Sequence, residues 1–301
     1  MLTRADRPWT NVYGIARSML ALATLLTLLA NSSESLFAPL LVPDPEISGR
    51  GPLSQLSLFF LARNHLLAAK LLAIVFLLPV IAGWRPQLTA IPHWWVSFSF
   101  AASASVIDGG DVTASILSLL LVPVALTDHR AWHWEGSGTG GRIASIAAQT
   151  GEVLVRAQVA IIYLFAAVSK LAVEEWANGT ALFYVWRGTR FGTAGYLRPL
   201  TDWLGRTVLV VPLTWSVLLL ELCLAAALVA PLRFRVRLLP VAILFHVGIA
   251  VFHGLPTFAL TMSAALVLHL RPWWRPFQFP EFLRHLTFRR TRALEPVSYA
   301  P

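Results

Sequence analysis

Long apolar runs dominate the chain, broken by short polar or turn-rich segments. A helix needs about 20 apolar residues to cross the hydrocarbon of a bilayer. By that measure about eight segments are predicted helices: 12–31, 64–83, 92–107, 111–127, 151–173, 207–230, 236–253 and 256–271. The third and fourth are short, and only Asp108-Gly109-Gly110-Asp111 separates them. They read either as a tight helical hairpin or as broken or re-entrant helices covered by protein or water. The pattern predicts an all-α fold, a polytopic helical bundle integral to a membrane.

Composition narrows the class further. The chain has 301 residues, 56% hydrophobic and 13% charged, with a mean hydropathy of +0.65. A soluble domain carries roughly 25% charged residues, and half of that cannot cover a globular surface. A soluble enzyme and a disordered chain are both excluded. The first apolar run is long and no small-residue cleavage site ends it, so it reads as a retained anchor. The single cysteine, Cys223, excludes an intramolecular disulfide and a cysteine-based metal site.

The formal net charge is +9, which in a soluble chain would raise nucleic acid as a partner. Here no nucleic acid is expected, because membrane proteins concentrate Arg and Lys in cytoplasmic loops. With the N-terminus inside, 14 arginines fall in inner segments, among them Arg85, Arg130 and Arg142. Six fall outside: Arg50, Arg63, Arg187, Arg190, Arg198 and Arg206. The asymmetry predicts N-in, C-in. Domain limits are set at 1–275 for the transmembrane part and 276–301 for a basic cytoplasmic tail lying on membrane lipid. The outer segments 32–63 and 174–206 are expected to roof the outer face, the second as an interfacial helix or lid. The Gly136–Gly141 stretch follows no strand and reads as a flexible linker. No internal repeat is visible, against the inverted-repeat transporter folds.

A charge at membrane depth costs about 2.5–3.5 kcal/mol on insertion and therefore needs a partner or a purpose. The candidates are Arg17, Lys70, Arg156, Lys170, Glu221, His246, His253 and His269. Only two of the basic residues are lysines, Lys70 and Lys170, and both lie in apolar stretches. Arg156, Tyr163 and Lys170 recur every seven residues on one helical face. Two readings of Lys170 stay open. It snorkels outward and pairs with Glu174, or it is a desolvated lysine whose lowered pKa frees it to act as a base. Glu221, lone in mid-span, is either protonated or paired. His246 and His253 share a face but lie about 10 Å apart, too far for one metal ion. His246 reads as a core histidine, and His253 as a site candidate beside Lys170. His129 and His133, beside Asp128, are a weak metal pattern.

Tyr163-Leu164-Phe165-Ala166, then Ser169-Lys170-Leu171, Trp176 and Gly179 resemble the corresponding helix of the vitamin K-dependent γ-carboxylase-like membrane family, whose shared region is the horizontally transferred transmembrane domain. Asp108-Gly109-Gly110-Asp111, Ile116 to Pro123, Asp128-His129-Arg130, His133-Trp134, His246, His253 and Arg271-Pro272 resemble its bacterial branch, the sporulation-delaying protein B family. The resemblance covers roughly residues 8–275. It implies that Lys170 is a general base, with His253, Asp108 and Asp111 as polar partners. Tyr163, Lys70, Glu174, Trp176, Arg187 and Glu221 are the substrate-binding candidates. The resemblance further implies maturation or modification of a secreted, toxin-like precursor peptide at the outer face of a bacterial plasma membrane, together with a small SdpA-like partner protein. A reduced, vitamin K-like quinone is the cosubstrate that the family implies. The sequence departs from the carboxylase at Ser169, where the carboxylase has a second lysine, and at 108–111, where it uses a histidine. The carboxylase's large lumenal domain has no counterpart among these residues. A carboxylase-like or other peptide-modifying enzyme is the first expectation. A non-catalytic scaffold, an immunity protein or a transport component is the alternative.

Overall fold

The computed structural model describes residues 8–41, 52–135, 137–189 and 191–278. Most of the tail 276–301, the middle of the first outer segment, Arg190 and Gly136 lie outside the described residues. Each predicted apolar segment is a helix: α1 (Asn11–Ala30), α2 (Leu66–Ala82), α3 (Pro86–Ser103), α4 (Gly109–Leu120), α5 (Arg142–Leu171), α6 (Val210–Ala226), α7 (Leu232–His253) and α8 (Pro256–Leu270). A short helix, Val122–Leu126, continues α4 after a break at Leu121.

Local chemistry sets the ends. Thr10 caps α1 by accepting from the Val12 N–H. Asp108 and Asp111 form a reciprocal capping box at the start of α4. Gly83 and Gly254 end α2 and α7 in the left-handed conformation, at φ 83° and 68°. α3 begins six residues before its predicted start, because Pro86 occupies its first turn, where a missing N–H costs nothing. α5 begins nine residues early and runs 30 residues, about 45 Å.

Among the described residues, four helical segments are long and apolar enough to cross a membrane: Asn11–Ala30, Arg63–Ala82, Arg142–Leu171 and Leu232–His253. A fifth qualifies if Gly195–Gly205 and Val210–Ala226, bent by 107°, count as one. This differs from about eight. α4 and α8 are 12 and 15 residues long, so length separates them from the others, and α3 is long enough but carries Gln87, Thr89, His93, Ser97 and Ser99 among its apolar residues.

Of these two short helices, α8 is the one shielded by protein. α8 is buried at every residue from Thr261 to Leu270 and packs on α1, α4, α5 and α7. An all-round apolar helix of this kind belongs in the middle of a bundle. Leu20, Leu117, Val159 and Leu268 join it in one core, and a second core ties α1 to α2 and α3 through Leu28, Ala73, Val96 and the stacked Phe37–Phe59 pair. By contrast Leu67, Leu71, Val75 and Leu78 form an exposed apolar stripe on α2, the surface a bilayer solvates.

The segment after α4 is a polar clasp. Asp128, 1% exposed, accepts from the Tyr13 hydroxyl and from Arg130 Nε and Nη2, both at 2.8 Å. Arg130 also donates to the His133 and Glu135 carbonyls. His133 faces Ser18 at 3.1 Å while His129 faces Gln87 at 3.3 Å, so the two rings turn to different partners. No group able to hold a metal ion occurs among the described residues. Arg17 is buried and donates to Thr89 at 2.9 Å. The glycine stretch is not free. The Gly138 N–H donates to the Trp9 carbonyl, and a Cβ on Gly140 would sit 2.4 Å from the Trp9 ring.

Candidate functional site

The last turn of α5 and the middle of α6 carry the site's charges. The two helices pack along their length, which places Lys170 opposite Glu221. Lys170 Nζ donates to Glu221 Oε1 at 2.7 Å and to the Ala166 carbonyl at 3.3 Å. It also lies 5.4 Å from the Trp176 ring centroid. The pair is 26% and 8% exposed at its side chains. Glu221 is therefore paired. The partner of Lys170 is neither Glu174 nor Asp111. α5 ends at Leu171 and Val173 is extended, so Glu174 is turned away to start a separate helix, Glu174–Ala177.

The pair forms one wall of a cavity of about 550 Å³. Tyr163 and His246 line it further along, with Asp108, His253 and Trp176 around them and Phe191, Phe245 and Phe258 as aromatic walls. Its size and mostly apolar lining are those of a ligand pocket. His246 gives its Nδ1 to the Ala242 carbonyl at 2.8 Å and its Nε2 faces the Tyr163 hydroxyl at 3.4 Å. His253 Nδ1 bonds the Phe191 carbonyl at 2.8 Å. Asp108 Oδ1 is held by the Gly110 and Asp111 N–H groups, at 2.7 and 3.0 Å.

The structure thus brings Lys170, Glu221, Tyr163, Trp176, Asp108 and His253 to one cavity. It leaves four other candidates elsewhere. Asp111 closes the capping box through the Asp108 N–H at 3.0 Å. Lys70 donates to the Asn31 carbonyl at 2.7 Å, which caps α1. Arg187 pairs with Asp202 at 2.6 Å, both outside the cavity. Glu174 is exposed. Sequence reasoning missed the aromatic wall, and His246, buried as a core histidine should be, also lines the cavity. The available signal was the seven-residue spacing of His246 and His253, because both line the cavity.

Comparison with known proteins agrees along nearly the whole chain. Over 307 residues the chain is 37% identical to the uncharacterized protein YitO of Bacillus subtilis, covering 99% of this chain and 97% of that protein. Over 272 residues it is 34% identical to the sporulation-delaying protein SdpB of the same organism, covering 88% of this chain and 82% of that protein. No family model matches the chain, and no solved structure matches it.

Proposed function

The chain belongs to the family of the sporulation-delaying protein SdpB, and on that premise we propose that it matures or modifies a secreted precursor peptide at the outer face of a plasma membrane. The single observation behind this reading is an ion pair, Lys170–Glu221, set in the wall of a mostly apolar cavity. Burying such a pair is costly, and apolar residues would pack there as stably. A working role accounts for its presence.

In this reading the protein crosses the membrane about eight times with both termini inside. The Arg130 clasp then lies inside and the Lys170 end outside, in line with the arginine count. α8 crosses within a sheath of longer helices.

Lys170 is the candidate base, and Glu221 makes that role workable. Proton transfer across the 2.7 Å contact converts ammonium and carboxylate into amine and carboxylic acid. The amine then takes a proton from the bound substrate, and Glu221 holds the displaced one. A reduced quinone, the cosubstrate implied by the carboxylase resemblance, would meet aromatic walls at Trp176, Phe245 and Phe258 and would supply reducing equivalents when bound.

The test is Lys170→Ala and Glu221→Gln in a strain that makes the matured peptide. Loss of mature peptide, with normal amounts of the variant in the membrane, is expected. Maturation at normal yield and rate would end the proposal. A second reading, a scaffold that holds the peptide and a small partner protein, is favoured by the fully engaged Lys170 ammonium. Restored maturation in the charge-swapped Lys170→Glu/Glu221→Lys protein would select it over catalysis.

A further inference from the structure

The hydrogen-bonding groups around the cavity are unbalanced. Lys170 has its ammonium engaged by Glu221, by the Ala166 carbonyl and by the Trp176 ring. The Thr113 hydroxyl gives its proton to the Gly109 carbonyl at 2.6 Å. Glu221 Oε2, in contrast, is buried without a partner among the described residues, in a residue 6% exposed.

The two histidines add to the imbalance. A carbonyl only accepts, so His246 Nδ1 carries the proton of the neutral ring and Nε2 is an acceptor. The Tyr163 hydroxyl therefore donates to His246, which leaves its oxygen to accept. The same argument makes His253 Nε2 an acceptor, since Nδ1 faces the Phe191 carbonyl. The cavity thus offers acceptors at Glu221, Tyr163 and His253, while its lysine and threonine donors are used. The indole N–H of Trp176 remains for an incoming carbonyl.

Charge limits what can fill it. The Lys170–Glu221 pair is neutral as a unit and the Asp108 carboxylate accepts from the Gly110 and Asp111 N–H groups, so an anionic ligand would bring an uncompensated charge into an apolar space. A single hydroxyl would satisfy one acceptor of the set. Tyr163 and Lys170, seven residues apart on α5, are spaced about 10 Å, the length of about three residues of extended chain. A backbone at membrane depth must have its N–H groups satisfied, and once unwound it cannot satisfy them itself.

We propose that this cavity binds a locally unwound, apolar segment of polypeptide through its backbone N–H groups. The acceptors of Glu221, Tyr163 and His253 replace the helix's own carbonyls, and the aromatic walls take the side chains. This rests on the cavity being the working site, as proposed above, and adds how the peptide is held there.

The test is binding to the purified full chain in nanodiscs. The probes are acetyl-Ala-Leu-Ala-Leu-Ala-amide with a bromoalkyl quencher on its C-terminal amide, and its backbone N-methylated twin. Binding is read as quenching of Trp176, taken as the difference from Trp176→Phe. The parent peptide should bind about tenfold or more tightly than the methylated twin, as expected for hydrogen bonds to a charged acceptor. That preference should fall severalfold in Lys170→Met/Glu221→Leu, which keeps an apolar wall in place of the ion pair and leaves only the Tyr163 and His253 acceptors. Equal binding of the twins overturns the proposal, as does an undiminished preference in the double variant. So does saturable quenching by bromoundecanol where the peptide gives none. If maturation in cells survives the double variant while the N–H preference is lost, the functional reading fails and this one stands.

Discussion

Lys170 and Glu221 are 51 residues apart in the chain and 2.7 Å apart in the fold. Each removes the other's cost. Alone, either charge would sit uncompensated in an apolar wall. The pair also fixes the relation of α5 to α6, because its two ends lie on different helices.

It follows that breaking the pair from one side costs more than removing both. Lys170→Met or Glu221→Leu alone should lower stability by about 1–3 kcal/mol, below the value for a fully buried pair because Lys170 is 26% exposed. Lys170→Met/Glu221→Leu should recover most of that loss. Thermal unfolding in detergent checks both. Additive single effects would mean that the contact carries no coupling.

Much of this was legible from the chain. The apolar runs located each long helix, and Asp108-Gly109-Gly110-Asp111 marked a helix start that proved to be a capping box. The heptad spacing of Tyr163 and Lys170 placed both on the cavity side. What was not legible was the partner of Lys170. Local spacing favoured Glu174, but α5 stops at Leu171, and the true partner comes from another helix. Long-range pairing leaves no mark in local periodicity. The glycine stretch was misjudged for the same reason: Trp9 holds it from a distance.

Asp128 is predicted to be the most sensitive residue outside the cavity. Its carboxylate is the common acceptor for Tyr13 and Arg130. Asp128→Ala leaves the Arg130 guanidinium without its counter-charge and should cost about 3–5 kcal/mol. Peptide binding by the folded fraction should be unchanged. Chemical unfolding and the quenching assay separate the two effects.

Two glycines should respond to alanine in opposite ways. Gly83 has φ 83°, and an added Cβ would lie 2.5 Å from His133 Nε2 and Trp134 Nε1. Gly83→Ala should destabilise by about 2 kcal/mol or more. Gly248 lies inside α7, and a Cβ there meets nothing within 4 Å. Gly248→Ala should stabilise by about 0.5–1 kcal/mol through helix propensity alone. Melting temperatures that move in the same direction for both would contradict these local environments.

Acid should loosen the clasp through His133. Burial, then the positive charges of Arg17 and Arg130, hold its pKa well below the usual 6.5. The folded protein therefore keeps this ring neutral at pH values where the unfolded chain protonates it. Below about 6.5 the unfolded state binds one more proton, so stability rises with pH there and flattens above. The expected loss approaches about 1.4 kcal/mol per pH unit on the way down. His133→Asn should be less stable than the parent at pH 8, because it loses the ring packed on Trp134, yet its stability should fall less steeply between pH 6.5 and 5. Unfolding midpoints across that range decide the matter. An unchanged slope in the variant would show that His133 is not the group that titrates.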